Sequence, residues 1–477
     1  MKYAMMVFDV GKTNKKLLIF SDDLKLLHAE SIKIGELKIH DVLCDDIQRL
    51  EKWLKERVKA VCNKYEVKGM NVSTHGATLA YLSKGSLAFP IISYNHDIEP
   101  RIRREFYEEF GSPVELYMIT GAPPYGRLIT AGLQVYWFRR RYPEIFSKVD
   151  KILFYPQYLL YSVSGLEASE ITSIGCHTYL YDLRRMDWSS IAKRLKVDHL
   201  SPSLVNVWDR LGDFKIDGSR LFIAPGIHDS NASILPFASE KGDILLASTG
   251  TWCVFMYPRA SFDPRPEDLR KDVVYYVSAY GKPIRASRFA GGYEHDHYVN
   301  LIKEKFGVDP RGMALDLEVI KELIKERRDF ITPGLIEGTG QFQESKPKII
   351  GDAFYRGSKR AYHLLNLSLA IQSYVAISLL TGDRRPDIIV LGGFANNEIY
   401  LSILSSLLAK NRVFKSTFSE TTGLGAAICC KCAVEEIKPD DVGVKLPLQE
   451  VLKPEIDLDH LMDYVNAYIE ASEGSSS

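Results

Sequence analysis

The sequence predicts an α/β protein of two domains, on three observations. Its 477 residues are too many for one compact core. Short apolar runs of strand length alternate with helices whose apolar residues recur every three and four positions. One pattern, an apolar strand, a turn with Gly and Thr, and a second apolar strand, occurs twice, near Asp9 and near Ser248. Each copy opens one half of the chain. We therefore expect a first domain over 1–238, a second over 239–470, a boundary near Pro236 to Lys241, and a disordered tail over 471–477.

The elements follow in order. "VFDVGKTNKKLLIF" predicts a hairpin with its turn at Gly11 to Asn14. A helix is expected from about Asp45 to Tyr65, with Ile47, Leu50, Leu54, Val58 and Val61 on one face. "GMNVSTHGATLAYLS" predicts a strand, a polar turn at Ser73 to Gly76 and a second strand, and "AFPIISYNHD" a further strand. Pro143 suits the first turn of a helix. "LFIAPGIHDSNASILPF" predicts a strand entering a polar turn, and "GDILLASTGTWCVFMY" a second hairpin. A nearly all-apolar helix near Arg360 to Thr381 should be buried. The strand Asp387 to Gly393 leads to a helix that turns Ile399, Ile403, Leu404, Leu407 and Leu408 inward. The last helix is expected to bury Leu458, Leu461, Met462, Val465, Tyr468 and Ile469.

Composition narrows the function. Lys+Arg and Asp+Glu number 61 each, so no global charge favours nucleic acid or an anionic membrane. No apolar run reads as long enough to span a bilayer, and Asp9 interrupts the apolar N-terminus. Seven scattered cysteines, an odd number, argue for a reducing compartment, and a cytoplasmic location is expected. Cys429, Cys430 and Cys432 fall in a helical pattern without zinc spacing and read as core.

Gly11-Lys12-Thr13 imitates the end of a P-loop. The glycine that loop needs five positions before Gly11 is Met6, and a strand, not a helix, follows. Four turns nevertheless share one property: Asp9 to Asn14, His228 to Ser233, Ser248 to Thr251 and Gly392 to Asn397 are polar and end apolar strands. In α/β sheets that edge binds ligands, and glycines there let backbone N–H groups approach an anion. Asp9 also reads as a turn former, Lys16 as a solvated strand charge, His75 as a structural hydrogen-bonder, and Asp229 or Asn396 as a helix cap.

Several motifs together resemble the FGGY carbohydrate kinases over roughly Tyr3 to Glu435. "FDVGKTNKK" is similar to the family's first phosphate motif, "STHGAT" to the sugar-side turn of xylulose kinases, and "GIHDSNAS" and "STGTW" to rhamnulose and fuculose kinases. "LGGFANN" is similar to the adenine-side turn, and "TTGLGAA" to the helix after it. The resemblance implies two actin-like (ribonuclease H-like) domains around a cleft, and a transfer from ATP with Mg2+ to a small sugar. It implies Asp229 as the base and Asp9 as the Mg2+ ligand, directly or through water. His75, Gly76, His228 and Asp229 would meet the sugar. Gly11, Thr13, Asn14, Lys16, Gly250 and Thr251 would meet the phosphates; Gly292 would lie on the nucleotide side; Gly393, Asn396 and Asn397 would line the adenine pocket.

The sequence also departs from the family. Lys12 replaces a small or hydroxyl residue, Tyr94 a Trp and His96 an Asp, and "FAGGYEH" keeps only Gly291-Gly292 of its segment. The leading reading is phosphorylation of a ketose such as L-fuculose or L-rhamnulose, with a pentulose of the xylulose type next. A non-catalytic actin-like ATP-binding protein is the alternative of a different class. A homodimer is left open.

Overall fold

The computed structural model describes residues 2–12, 14–237, 242–416, 418–444 and 446–474. The expected boundary at 238/239 and the phosphate-turn Thr13 lie outside the described residues.

Two seven-stranded mixed sheets carry the two halves. In the first, β1 (Ala4–Val10), β2 (Asn14–Ser21) and β3 (Leu26–Lys33) form an antiparallel meander. Helix α1 (Ile47–Lys64) then crosses to β4 (Val67–Thr74), which lies parallel to β1. The Asp46 side chain caps α1. Later strands β5 (Ser219–Ile223) and β6 (Ile227–His228) add on, parallel to β4, and α2 (Asp229–Ile234) follows at once.

The second sheet repeats the plan. β7 (Ile244–Thr249) and β8 (Cys253–Tyr257) make the second hairpin, and β9 (Val273–Val277) and β10 (Pro283–Phe289) continue the antiparallel run. After helices α3 (Gly291–Phe306) and α4 (Ser358–Thr381), β11 (Asp387–Gly392) pairs parallel to β7. Helix α5 (Glu398–Leu407) leads to β12 (Val413–Lys415), parallel to β11. The doubling visible in the sequence is thus a doubling of sheet topology.

Helix α4 is long and apolar enough to cross a membrane by length and composition, which corrects the expectation that no apolar run is long enough. Its apolarity has another cause, since 78% of its most apolar window is buried. It packs on Leu245, Ala247 and Phe255 of the second sheet.

Helix α6 (Thr421–Glu435) belongs to the second half in sequence, yet it packs on the first sheet. Alternation along β1 sends Met6 and Phe8 to the α1 side and Met5 and Val7 to the α6 side, where Leu424, Ala426, Cys429 and Cys430 meet them. The cysteines are buried packing residues. Contact is close because α6 carries glycine: a Cβ at Gly425 would stand 1.8 Å from the Ala232 carbonyl oxygen of α2. The buried Asn71 of β4 ties the contact by donating to the Ala426 carbonyl at 2.9 Å.

Other expectations need correction. Ala88 to Asp97 is no strand; it buries Phe89, Ile91, Ile92 and Ser93, makes two isolated bridges, Cys44 to Ile92 and Asp97 to Arg127, and turns at Tyr94. Ser73 and Thr74 still belong to β4, and the following strand, Leu79–Ser83, joins a separate three-stranded sheet. The last helix, α7 (Leu458–Glu473), runs past position 470, and 475–477 lie outside the described residues. It buries Leu461, Tyr464, Val465 and Tyr468, while Leu458 is exposed in its first turn.

Enlarging Gly425 tests the α6 contact. Gly425→Ala should destabilise the protein by about 1–3 kcal/mol through overpacking against backbone. Urea unfolding should show an earlier midpoint.

Candidate active site

Register brings the first group of residues together. Asp9 of β1 pairs with Ser73 of β4, and Ser73 pairs with Ile227 of β6. His75 follows the end of β4, and His228-Asp229 ends β6 and starts α2. Asp9, His75 and Asp229 therefore crowd the C-terminal edge of three adjacent parallel strands, where chain ends leave open space.

Asp229 does not cap α2 with its side chain from the N-cap position; that position is His228, and Asp229 is the first helical residue. Its Oδ1 accepts the Ser230 N–H at 2.6 Å and lies 3.2 Å from His228 Nε2. The side chain is 34% exposed, so one face meets solvent. Burial raises the Asp229 pKa, opposed by His75 and the Ser230 hydrogen bonds. Asp9 is half-buried, and burial followed by the Asp229 charge pushes its pKa up to about 7.

The histidines are neutral near pH 7. Burial lowers His75 to about 4 and His228 to about 3. His228 sits between Cys176 Sγ and Asn231 Nδ2, each 3.2 Å away. His75 lies edge-on to Tyr94 at 4.9 Å and 4.0 Å from Asp45. Gly76 is a close approach, since a Cβ there would stand 2.7 Å from Cys176 Sγ.

The hairpin's lysines separate. Lys16, opposite Asp9 in the ladder, bonds both Glu420 oxygens, at 3.0 and 2.9 Å. Lys15 is buried and donates to the carbonyls of Lys12 and Ile34. Lys12 reaches the carboxylates of Asp45 and Glu36. Gly11 is half-buried and Asn14 exposed at the same turn.

The second half supplies a facing turn. Gly250 and Thr251 are exposed between β7 and β8. Gly292, in the first turn of α3, packs against them: a Cβ there would fall 2.0 Å from the Gly250 carbonyl oxygen. Gly392 has φ +84°, and a Cβ there would fall 1.9 Å from the Thr249 carbonyl oxygen. The exposed Gly393 and Asn396 follow. The cap of α5 is Asn397, not Asn396: its Oδ1 accepts the Tyr400 N–H, and its Nδ2 donates to Asn366.

Sequence reasoning missed Arg288, which lies between the rings of Tyr125 and Trp252, 4.7 and 4.8 Å away, and pairs with Asp272 at 3.3 Å. It joins the halves, as do the backbone bonds Tyr275 to Gly121 and Val277 to Gly175. His96, at the family's Asp position, faces Trp137 and accepts the Leu43 N–H, so it serves the first domain's interior. A cavity of about 830 Å3 lies elsewhere, on the Leu37, Glu51 and Tyr158 side of Asp45. Its position against α1 does not coincide with the carboxylates.

Two carboxylates at a parallel-sheet edge in the first half, and glycine turns at the matching edge of a second sheet of the same topology, are the parts of a two-domain α/β phosphotransferase. The comparisons agree. The N-terminal domain pattern of the FGGY family of carbohydrate kinases matches residues 4–209, and its C-terminal domain pattern matches 241–439. A rhamnulokinase of Oceanobacillus iheyensis is 20% identical over 96% of this chain and 98% of its own. An Escherichia coli xylulose kinase is 23% identical over 38% of each chain. A carbohydrate kinase structure from Novosphingobium aromaticivorans superposes with TM-score 0.85 at 24% identity, over 100% of this chain and 99% of its own. A ligand-bound xylulose kinase from Lactobacillus acidophilus gives 0.81 at 14% identity, covering 99% of each. The chain belongs to the FGGY family of carbohydrate kinases and is a sugar kinase. Members of this family use ATP as phosphate donor, generally with Mg2+. The non-catalytic alternative is thereby set aside.

The pKa of Asp9 has a sign that can be tested. It is raised on folding, so its neutral form stabilises the free protein fully below about pH 4, and this is lost as pH rises through about 7. Asp9→Asn should therefore stabilise the apo protein at pH 8 by on the order of 2 kcal/mol after solvent screening, seen as a raised melting temperature, with the gain vanishing toward pH 4. Paired melting curves across that range check it.

Proposed function

We propose that the protein transfers the γ-phosphoryl group of ATP to a hydroxyl of a ketose such as L-rhamnulose or L-fuculose, with Asp229 as general base. The observation that carries the reading is the half-open Asp229 carboxylate beside Asp9 at the C-terminal edge of β1, β4 and β6. Asp229 accepts the proton of the attacking hydroxyl, and its raised pKa suits it to that task.

Among the described residues no three His, Cys, Asp or Glu side chains form a metal cluster. One or two carboxylates plus phosphates and waters are what Mg2+ takes in kinases. Asp9, with Asp229 beside it, fits that donor set and would hold the ion. When bound, MgATP supplies the phosphoryl group and the cation that offsets its charge. Gly11, Asn14 and Lys16 from the first half, with Gly250, Thr251 and Gly292 from the second, would bind the phosphates; Thr13 shares that role by sequence alone. Lys16 would exchange Glu420 for phosphate. Gly393, Asn396 and Asn397 would bound the adenine, Asn397 mainly by fixing the start of α5. His75, Gly76 and His228 would shape the sugar side.

The rhamnulokinase similarity runs the length of the chain, which favours a deoxyketose. The His75-Gly76-Ala77-Thr78 turn and the xylulose kinase similarity favour a pentulose as the second reading. A coupled ADP-release screen over ketoses, aldoses and polyols separates them.

Asp229→Asn should lower kcat by about 10²- to 10⁴-fold while ATP affinity holds. Near-normal turnover would remove Asp229 from its role. A sugar with a non-hydrolysable ATP analogue should close the cleft between 1–238 and 239–470, excluding water from the γ-phosphoryl group. Small-angle scattering should report a smaller particle with both ligands than with either alone. The melting temperature should rise most with the pair, each ligand at a hundredfold excess over its Kd adding about 2.7 kcal/mol.

A further inference from the structure

Lys12 stands in the phosphate-side turn but points away from it. Its Nζ lies 2.5 Å from Asp45 Oδ1 and 2.8 Å from Glu36 Oε1, donates to Ser93 Oγ at 2.8 Å, and lies 4.7 Å from the centre of the Tyr94 ring. An ammonium has three donors, and these contacts engage all three. Glu36 and Asp45 are directly opposite each other in a two-stranded hairpin, Glu36–Ile39 with Val42–Asp45. Like charges facing across strands destabilise the pair, so the hairpin depends on the cation between them. The carbonyl of Lys12 is held in turn by the buried Lys15.

This cluster borders the proposed sugar site. His75 lies 4.0 Å from Asp45 and edge-on to Tyr94. Tyr94 feels the charges of Asp229, Asp45, Glu36 and Arg288, and burial, ahead of those charges, pushes its pKa up to about 12, so it remains a hydroxyl donor. Each of three cations around the space already faces a carboxylate: Lys12 with Asp45 and Glu36, Lys16 with Glu420, Arg288 with Asp272. Glu36 and Asp45 bring carboxylate oxygens to this side beside the Tyr94 hydroxyl, and carboxylate oxygens accept from sugar hydroxyls and repel a substrate carboxylate.

We propose that Lys12 is a specificity-determining residue: by holding Glu36 and Asp45 together on Tyr94, it builds an acceptor-rich wall that binds an uncharged polyhydroxylated sugar and rejects sugar acids. The inference rests on the sugar-kinase reading with Asp229 as base. It adds the substrate's charge class and the wall that selects it.

The test compares wild type, Lys12→Met, Lys12→Arg and the double variant Glu36→Gln/Asp45→Asn. Probes are the best ketose from the screen and gluconate, read as kcat and KM for sugar and ATP and by calorimetric sugar binding. Wild type should use gluconate at least a hundredfold less well by kcat/KM than the ketose. Lys12→Met should raise ketose KM and Kd tenfold or more with ATP KM within twofold, and Lys12→Arg should restore most of that loss. The double variant frees the ammonium and should raise the gluconate-to-ketose ratio at least tenfold. A Lys12→Met effect confined to ATP KM, an equal loss on both substrates in the double variant, or free use of gluconate by wild type would overturn the proposal. Should Lys12→Met fail to fold, Lys12→Arg and the double variant decide it. If no sugar is phosphorylated, the kinase reading fails by turnover, while the calorimetric binding ratio of L-rhamnulose to gluconate still decides the role of Lys12.

Discussion

The site depends on a repulsion. Parallel pairing of β1 and β6 on either side of β4 fixes Asp9 and Asp229 at one edge of the sheet, and neither element can leave that edge without losing the ladder. Among the described residues neither carboxylate has a lysine or arginine in direct contact that would discharge the pair: Lys16, opposite Asp9 in the ladder, is drawn to Glu420. Burial raises the pKa of both carboxyls, and the Asp229 charge adds to the rise at Asp9. A cation or a migrating proton relieves the repulsion, which makes the edge receptive to both partners of phosphoryl transfer.

Much of this was legible in the chain. Both hairpins, the parallel strand after each and the buried α4 follow from apolar runs and turn residues, because those signals are local. So were the four polar turns, which the fold gathers at two sheet edges. Other features were not local. Ala88 to Asp97 is apolar enough for a strand, but it meets the strand Val42–Asp45 through a single bridge, Cys44 to Ile92, and Phe89 and Ile92 are buried by packing within the first domain's core and not by a continuous ladder. On α7 the exposed Leu458 stands in the first turn, and the deeper face includes Tyr464 instead, because the groove formed by Phe330 and its neighbours accepts a ring there.

The lysines of the first turn show the same limit at the site. Lys12, Lys15 and Lys16 are alike as letters, yet their partners lie at Asp45, Ile34 and Glu420. A sequence gives the charges and hides the pairings, since nothing near the turn says which carboxylate will arrive. By motif, Lys12 is only a departure from the family pattern. Its importance emerges only once Glu36 and Asp45 are seen side by side in one hairpin.

Helix α6 gives the chain an order in time. The face of β1 and β2 that carries Met5, Val7, Leu18 and Phe20 is covered by residues synthesised some four hundred positions later. At about 5–20 residues per second, a ribosome takes roughly 20–80 s to deliver them. Through that interval the first sheet exists with one greasy side bare. A nascent chain of this design keeps that apolar face uncovered until its own helix arrives to close the layer.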